Sequence, residues 1–481
     1  NLLEHYQAGR LDDAEKLATS ISQEFPEHPF SWKVLGAVLK QTGRISESFS
    51  AMKKSVYLEP HDAEAHYSFG DTLQELGRLE EAEASYTQAI ALKPDYAEAH
   101  FKLGNTLQKL DRLDEAEASY RQAIVHKPDY TKALSNLGAT LQSFRRYDEA
   151  EASYTQAITL KPDFAEAHYN LGNILKELGR LDEAEASYRQ AIEHKPDFAE
   201  AHNNLGVRLK ELGKLNEAEV SYTQAIALNP FYAEAHSNLG VILHMNGDID
   251  FGLESLERAN NIDPDLHDNQ IILAILKARK ALGRTELNAD NIGNLGSSSE
   301  HFPPPVILNR PIEAQLIDSL YKMKPIELEY FDNSRSSDAR FGTGKCSRDF
   351  KLFKDDSPII KSVAEDLTII MRGVVKSDIY IAESFFNILG TGGGTAPHKH
   401  LSPLDKDEYL NFRKQKYSLV YYLSVGDQNC IDPGILKLCD PSVEILPSEG
   451  MIAIFPADRQ HSAIYGGKKD RVMIGVNFYS L

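Results

Sequence analysis

Along the first 264 residues, apolar and polar positions recur with two nested periods. The short one is helical. In AEAHYNLGNILKELGRLDEAEASYRQAIEHKPDF, residues 165–198, small Ala and large Leu, Tyr or Ile fall at helical spacing. Each block reads as two helices joined by an ELG turn. The long period is 34 residues. Glycines stand at Gly36, Gly70, Gly104, Gly138, Gly172, Gly206 and Gly240, and prolines at Pro60, Pro94, Pro128, Pro162, Pro196, Pro230 and Pro264. A proline cannot continue a helix, so each unit closes before it. The glycine lets a neighbouring helix come close. One such hairpin cannot bury its own apolar face, so successive units must stack. Residues 1–30 read as the tail of an earlier unit, and DLHDNQIILAILKARKALG near 265–283 as a capping helix.

The period then stops. GRTELNADNIGNLGSSSEHFPPP is rich in Gly, Ser, Asn and Pro and reads as a linker over 285–305. Beyond it, helices are predicted near 311–323 and 357–375. Short β-rich runs follow at 379–389, 417–424, 434–439, 451–456, 461–466 and 471–480, separated by Gly, Pro and Asp clusters. Many short strands with regular turns predict a sandwich or barrel. The expected organisation is an all-α superhelical solenoid over 1–284, the linker, and a double-stranded β-helix (jelly-roll) domain with flanking helices over 306–481.

Charge narrows the function classes. The chain of 481 residues carries a net charge of −19, nearly all of it in the first 300 residues. An acidic array argues against nucleic acid, which needs a basic footprint, and permits a basic or neutral partner. No apolar run approaches the length of a membrane span. Three cysteines, Cys346, Cys430 and Cys439, are too few to staple the chain and fit a reducing, cytoplasmic setting. The chain begins at Asn1 rather than Met, so a missing leader carries no weight. The sequence does not specify an oligomeric state.

Candidate chemistry gathers at the ends of the predicted strands. His398 and His400 follow a Gly-rich stretch, and in extended chain residues two apart point the same way. His461 follows the run MIAIFPADRQ and is placed to complete a facial set of three. Imidazole suits Fe, Zn, Cu and Ni. Arg471 lies ten residues further on; inside a barrel it would need an anion, and on the surface it would pair with Asp470. Arg340, in RFGTGKCSRDF, sits on either a substrate loop or an ordinary connection. Cys430 and Cys439 read as inert thiols. The histidines at 66, 100, 168, 202 and 236 recur once per unit and read as packing residues.

The 34-residue unit resembles the tetratricopeptide repeat, whose pattern W-x2-L-G with a later Ala, Tyr and Pro is met almost residue for residue. Trp32 fills the aromatic slot once and histidines fill it elsewhere. Asn136, Asn170, Asn204 and Asn238 each lie two residues before the repeat glycine, with Ser68 and Lys102 breaking the ladder at its start. Similar asparagines line the groove of O-GlcNAc transferase. That resemblance implies a row of amides able to pair with an extended peptide backbone, so the expected partner is a peptide or protein.

The C-terminal part resembles the Fe(II)/2-oxoglutarate dioxygenases, particularly the prolyl-hydroxylase-like ones, most closely over 379–481. The family order is H-x-D, a later His and a basic residue about ten further on; here it is His398-x-His400, His461 and Arg471. The resemblance implies that His398 and His461 bind Fe(II). It implies that Arg471 holds the distal carboxylate of 2-oxoglutarate with help from Tyr422 and Ser418. Asn387 would reach the other end of that cosubstrate, and O2 would be the second. The family's Asp is His400 here. His400 as third ligand, water or chloride in its place, and Asp405 swinging in all stay open.

The implied activity is hydroxylation of a peptide or protein side chain, prolyl first, with the repeats capturing substrate. Alternatives are a small-molecule oxygenase using the repeats for assembly, a cupin-like metalloenzyme built on Gly392, His398, His400 and Asp405, and a non-catalytic adaptor. The cupin's second motif fails, since His461 lies eleven after Gly450 rather than three.

Overall fold

The computed structural model describes residues 2–281, 302–323, 326–327, 340–341, 344–347, 350–390, 392–407, 410 and 412–481. The expected linker at 285–305 lies almost wholly outside the described residues, as does the Arg340 side chain. Inter-residue contacts divide the chain into two bodies, Asn1–Pro230 and Phe231–Leu481. The last repeat therefore groups with the sheet region.

The first body is helical throughout, in antiparallel pairs such as Ala97–Lys109 with Leu113–His126 and Ala165–Glu177 with Leu181–His194. The repeat glycine is explained by a tyrosine sixteen residues later. A Cβ on Gly172 would sit 2.6 Å from a ring carbon of Tyr188. The same clash recurs at Gly70 with Tyr86, Gly104 with Tyr120, Gly138 with Tyr154 and Gly206 with Tyr222, and all five rings are buried. The missing methyl is what lets the aromatic ring key one helix onto its mate.

The aromatic slot has a polar purpose. Nε2 of His66, His100, His168 and His202 lies 2.9–3.1 Å from the carbonyl oxygens of Pro60, Pro94, Pro162 and Pro196, six residues earlier. Trp32 Nε1 donates to Pro26 O at 2.8 Å in the same way. Each side chain ties the start of a helix to the turn before it.

The second body opens with helices Ala233–Met245, Ile249–Ile262 and His267–Ala281. Among the described residues twelve strands follow: β1 (Val306–Asn309), β2 (Ile326–Glu327), β3 (Arg340–Phe341), β4 (Gly344–Cys346), β5 (Ile379–Leu389), β6 (Gly393–His398), β7 (Lys416–Ser424), β8 (Leu436–Leu438), β9 (Val443–Ile445), β10 (Met451–Pro456), β11 (His461–Tyr465) and β12 (Arg471–Ser480). They form two antiparallel sheets, of order β1-β10-β7-β12-β5-β4-β2 and β3-β6-β11-β8-β9.

Alternation decides which residues face the second sheet. In β12, Val472, Ile474, Val476 and Phe478 join Leu419, Tyr421 and Leu423 of β7 in a core against helices Leu316–Lys322 and Pro358–Val375. A strand shows alternate residues to opposite faces, so Arg471, Met473, Gly475, Asn477 and Tyr479 face the other way. There Tyr422 and Met473 pack with Tyr465 of β11, and Ala453 and Phe455 of β10 with Leu436 and Leu438 of β8. Candidate site residues thus occupy the faces between the sheets. Helix His267–Ala281 packs Ile271, Ile272, Ile275 and Leu276 against Leu404, Leu410, Phe412 and Tyr479.

Candidate functional site

His398 ends β6, His461 begins β11, and the two are register partners. His400 follows two residues after His398, fixed by its backbone N–H donating to Ala457 O at 2.9 Å. Lys399 between them is exposed, while all three histidines are buried. One ligand atom from each lies within 4.8 Å of the others. His400 Nε2 and His461 Nε2 are 3.1 Å apart. Among the described residues no other group of His, Cys, Asp or Glu gathers in this way.

Orientation comes from groups that sequence reasoning missed. His461 Nδ1 lies 3.1 Å from Arg459 O. A backbone carbonyl can only accept, so Nδ1 keeps the proton and donates it, which leaves the Nε2 lone pair facing the cluster. Arg459 is itself fully buried, and its guanidinium donates to the carbonyls of Cys439, Pro303 and Pro441. Phe455 stands edge-on to His461, ring centres 4.8 Å apart. An all-nitrogen, buried set of this kind fits a borderline transition ion such as Fe(II) or Zn(II).

Arg471 is fully buried and makes no pair with Asp470, whose carboxylate accepts from Tyr321 at 2.6 Å. The guanidinium lies over the rings of Tyr465 at 4.8 Å and Tyr422 at 5.8 Å. It donates to the carbonyls of Val425, Pro433 and Gly434. Burial lowers its pKa below the usual arginine value, and burial pushes the Tyr422 hydroxyl up to about 12. Asn387 is buried on β5 opposite Met473, and among the described residues its Oδ1 has no hydrogen-bond partner. Ser418 donates to Asn477 Oδ1 at 2.8 Å rather than toward Arg471.

Asp405 stands apart from the cluster. Its carboxylate accepts from Ser402 N, Ser402 Oγ, Lys416 Nζ and Tyr479 Oη at 2.6–2.8 Å. A carboxylate so engaged is part of the scaffold beside the site. Asn477 was legible as a polar residue at an inward position of RVMIGVNFYS; Arg459 carried no such signal.

In the first body the asparagine ladder is partly self-satisfied. Asn136 Nδ2 donates to Asn105 Oδ1 at 2.7 Å, and Asn204 Nδ2 to Asn173 Oδ1 at 3.1 Å. Those acceptors also take Tyr120 and Tyr188 hydroxyls at 2.8 Å. Asn170 differs: the residue 31 before it is Ala139, which offers no such acceptor. Lys102 pairs with Asp71 at 2.9 Å in the same geometry. Asn238 belongs to the second body and is half-buried. Among the described residues no helix is long and apolar enough to cross a membrane.

The comparisons fall on the helical array. The family described as TPR repeat matches residues 70–111, 146–179 and 208–247, and the one described as Tetratricopeptide repeat matches 97–130 and 165–198. No curated protein matches the chain. Solved structures similar to it include MamA, at 26% identity over 34% of this chain and 97% of that one, with a TM-score of 0.33. YrrB, titled a TPR protein with an unusual peptide-binding site, is 25% identical over 38% and 95%, with a TM-score of 0.34. Pseudomonas aeruginosa pilF is 20% identical over 44% and 97%, with a TM-score of 0.41. The N-terminal helical array of this chain is built of tetratricopeptide repeats.

Proposed function

We propose that the sheet region is a jelly-roll Fe(II)- and 2-oxoglutarate-dependent dioxygenase that hydroxylates a peptide or protein side chain, prolyl first, and that the repeats bind that substrate or a partner. The observation that carries this reading is the meeting of three buried imidazoles from two chain segments, the end of β6 and the start of β11. Iron with 2-oxoglutarate and O2 supplies, when bound, the oxidative attack on a C–H bond. His398, His400 and His461 would hold the ion, and Arg459 O keeps His461 turned toward it. Arg471 has four of its five N–H donors on carbonyls and one Nη1 hydrogen for a carboxylate. Phe455, Tyr422 and Tyr465 line the space between the sheets with buried aromatic rings. A reducing, cytoplasmic setting agrees with none of Cys346, Cys430 and Cys439 forming a disulfide.

A second reading follows from Arg471 itself. A guanidinium already resting on three carbonyls needs no anion, which favours a repeat adaptor whose metal is structural. Anaerobic titration with Fe(II) and 2-oxoglutarate separates the two. The oxygenase reading expects a visible charge-transfer band, absent in His461→Ala and weakened in Arg471→Lys. Iron uptake with no band and no succinate formation selects the adaptor.

A further inference from the structure

Asn477 is buried at an inward position of β12, with Ser418 of β7 and Glu383 of β5 as its register neighbours. Its Oδ1 accepts from Ser418 Oγ at 2.8 Å, and its Nδ2 donates to Glu383 Oε2 at 2.5 Å. The same Nδ2 lies 3.4 Å from His400 Nδ1. An amide nitrogen carries two hydrogens, so it serves both partners. A neutral imidazole that accepts at Nδ1 carries its proton on Nε2. His400 Nε2 faces His461 Nε2 at 3.1 Å, and His461 Nδ1 faces Arg459 O at 3.1 Å. Donors and acceptors then run one way, from Asn477 through His400 and His461 to Arg459.

We propose that Asn477, clamped by Ser418 and Glu383, is the positioning residue that fixes the tautomer of His400 and makes it a conditional member of the cluster. Its first half concerns the metal-free protein; its second rests on the metal reading above. An ion needs the Nε2 lone pair, so the His400 proton must move to Nδ1. There it meets the Asn477 amino group, donor against donor. His398 and His461 therefore take an ion first, the ion replacing the His400 Nε2–H at the single His461 Nε2 lone pair, and His400 joins when the amide turns its oxygen inward. A carboxylate at this position, with a donor in place of Glu383, removes the conflict: it accepts from Ser418, from His400 Nδ1–H and from the new amide.

The test uses the full chain labelled with 15N-histidine, first without metal. Wild type is expected to show His400 protonated on Nε2, and Asn477→Asp combined with Glu383→Gln on Nδ1. Ser418→Ala, which only loosens the clamp, is expected to give a mixture, and it keeps the test open should the double variant not fold. Co(II) titration is then expected to show affinity raised about ten- to a hundredfold in the double variant, the usual scale for a partner that orients a ligand. His400→Ala is expected to change wild-type affinity by less than about fivefold but to abolish that gain. A wild-type His400 already protonated on Nδ1, or a tautomer indifferent to position 477, overturns the proposal. A tautomer that shifts as expected in a protein taking up no Co(II) upholds the positioning role, overturns the conditional-ligand half, and counts separately against the metal reading.

Discussion

His400 Nε2 and His461 Nε2 face each other at 3.1 Å between two sheets, with both rings more than nine-tenths buried. Two ring nitrogens this close share either one proton or one ion. Divalent metal should therefore stabilise the parent by mass action, about 2.7 kcal/mol at a hundred times the dissociation constant. Thermal unfolding with and without Co(II) checks this. His461→Ala should melt at the same temperature in both conditions.

Lys416 and Asp405 form an ion pair at 2.8 Å with side chains 5% and 0% exposed. Breaking such a pair strands one charge and costs about 3–5 kcal/mol. Asp405→Asn should show that loss in urea unfolding, and adding Lys416→Met should recover part of it. Metal uptake by the folded fraction should stay at the parent level, because Asp405 lies outside the histidine cluster.

Gly434 has φ +73°, and a Cβ there would fall 1.8 Å from Arg471 Nη1. Gly434→Ala should cost about 1–2 kcal/mol from the left-handed backbone and about 1–3 kcal/mol more from crowding. Gly466→Ala serves as the control, since its added Cβ meets nothing closer than 3.3 Å. Thermal denaturation of the two variants should differ accordingly.

The repeat tyrosines are alike in packing and unlike in bonding. Tyr120 Oη lies 2.8 Å from Asn105 Oδ1 and 2.9 Å from Gln108 Oε1 and can donate to either, whereas the buried Tyr154 Oη has no partner among the described residues. Tyr120→Phe should destabilise by about 1 kcal/mol, and Tyr154→Phe should be neutral or stabilising, because an unpaired buried hydroxyl costs about 1–3 kcal/mol. Chemical denaturation of the full chain should show the two signs.

Asp71 accepts from Tyr86 and pairs with Lys102 at 2.9 Å and Lys40 at 3.1 Å. Burial pushes its carboxyl up, but Lys102, Tyr86 and Lys40 outweigh that, and the pKa ends below the ordinary value. The folded state thus binds the proton less readily than the unfolded chain. This stabilisation is complete above about pH 4 and disappears as pH falls through the lowered folded value. Asp71→Asn should lose about 1–3 kcal/mol at pH 7, with the gap to the parent closing in acid.

Much of this was legible from residue order. The 34-residue period announced the helical pairs, and the strands at 379–389, 451–456 and 471–480 fall where β5, β10 and β12 lie. Strand β6 was hidden, because GGTAPH has the glycines and proline of a loop and becomes a strand by pairing with β11 and β3. The convergence of His398, His400 and His461 followed from period-two spacing and a strand start. The engagement of Asp405 by Lys416 and Tyr479 did not, since side-chain pairing across distant strands leaves no trace in local pattern. Asn105 and Asn173 escaped notice for a related reason: each follows its glycine by one residue in only two repeats, and their role lies in the pairing with Asn136 and Asn204.

Helix His267–Ala281 spends its apolar side on Leu404, Phe412 and Tyr479. In an open-ended array that side would be the landing place for another hairpin. Here the berth is taken, so a further hairpin seated on this helix would have to displace Leu404, Phe412 and Tyr479. An added unit at this face would compete with the sheet region for the same apolar side chains.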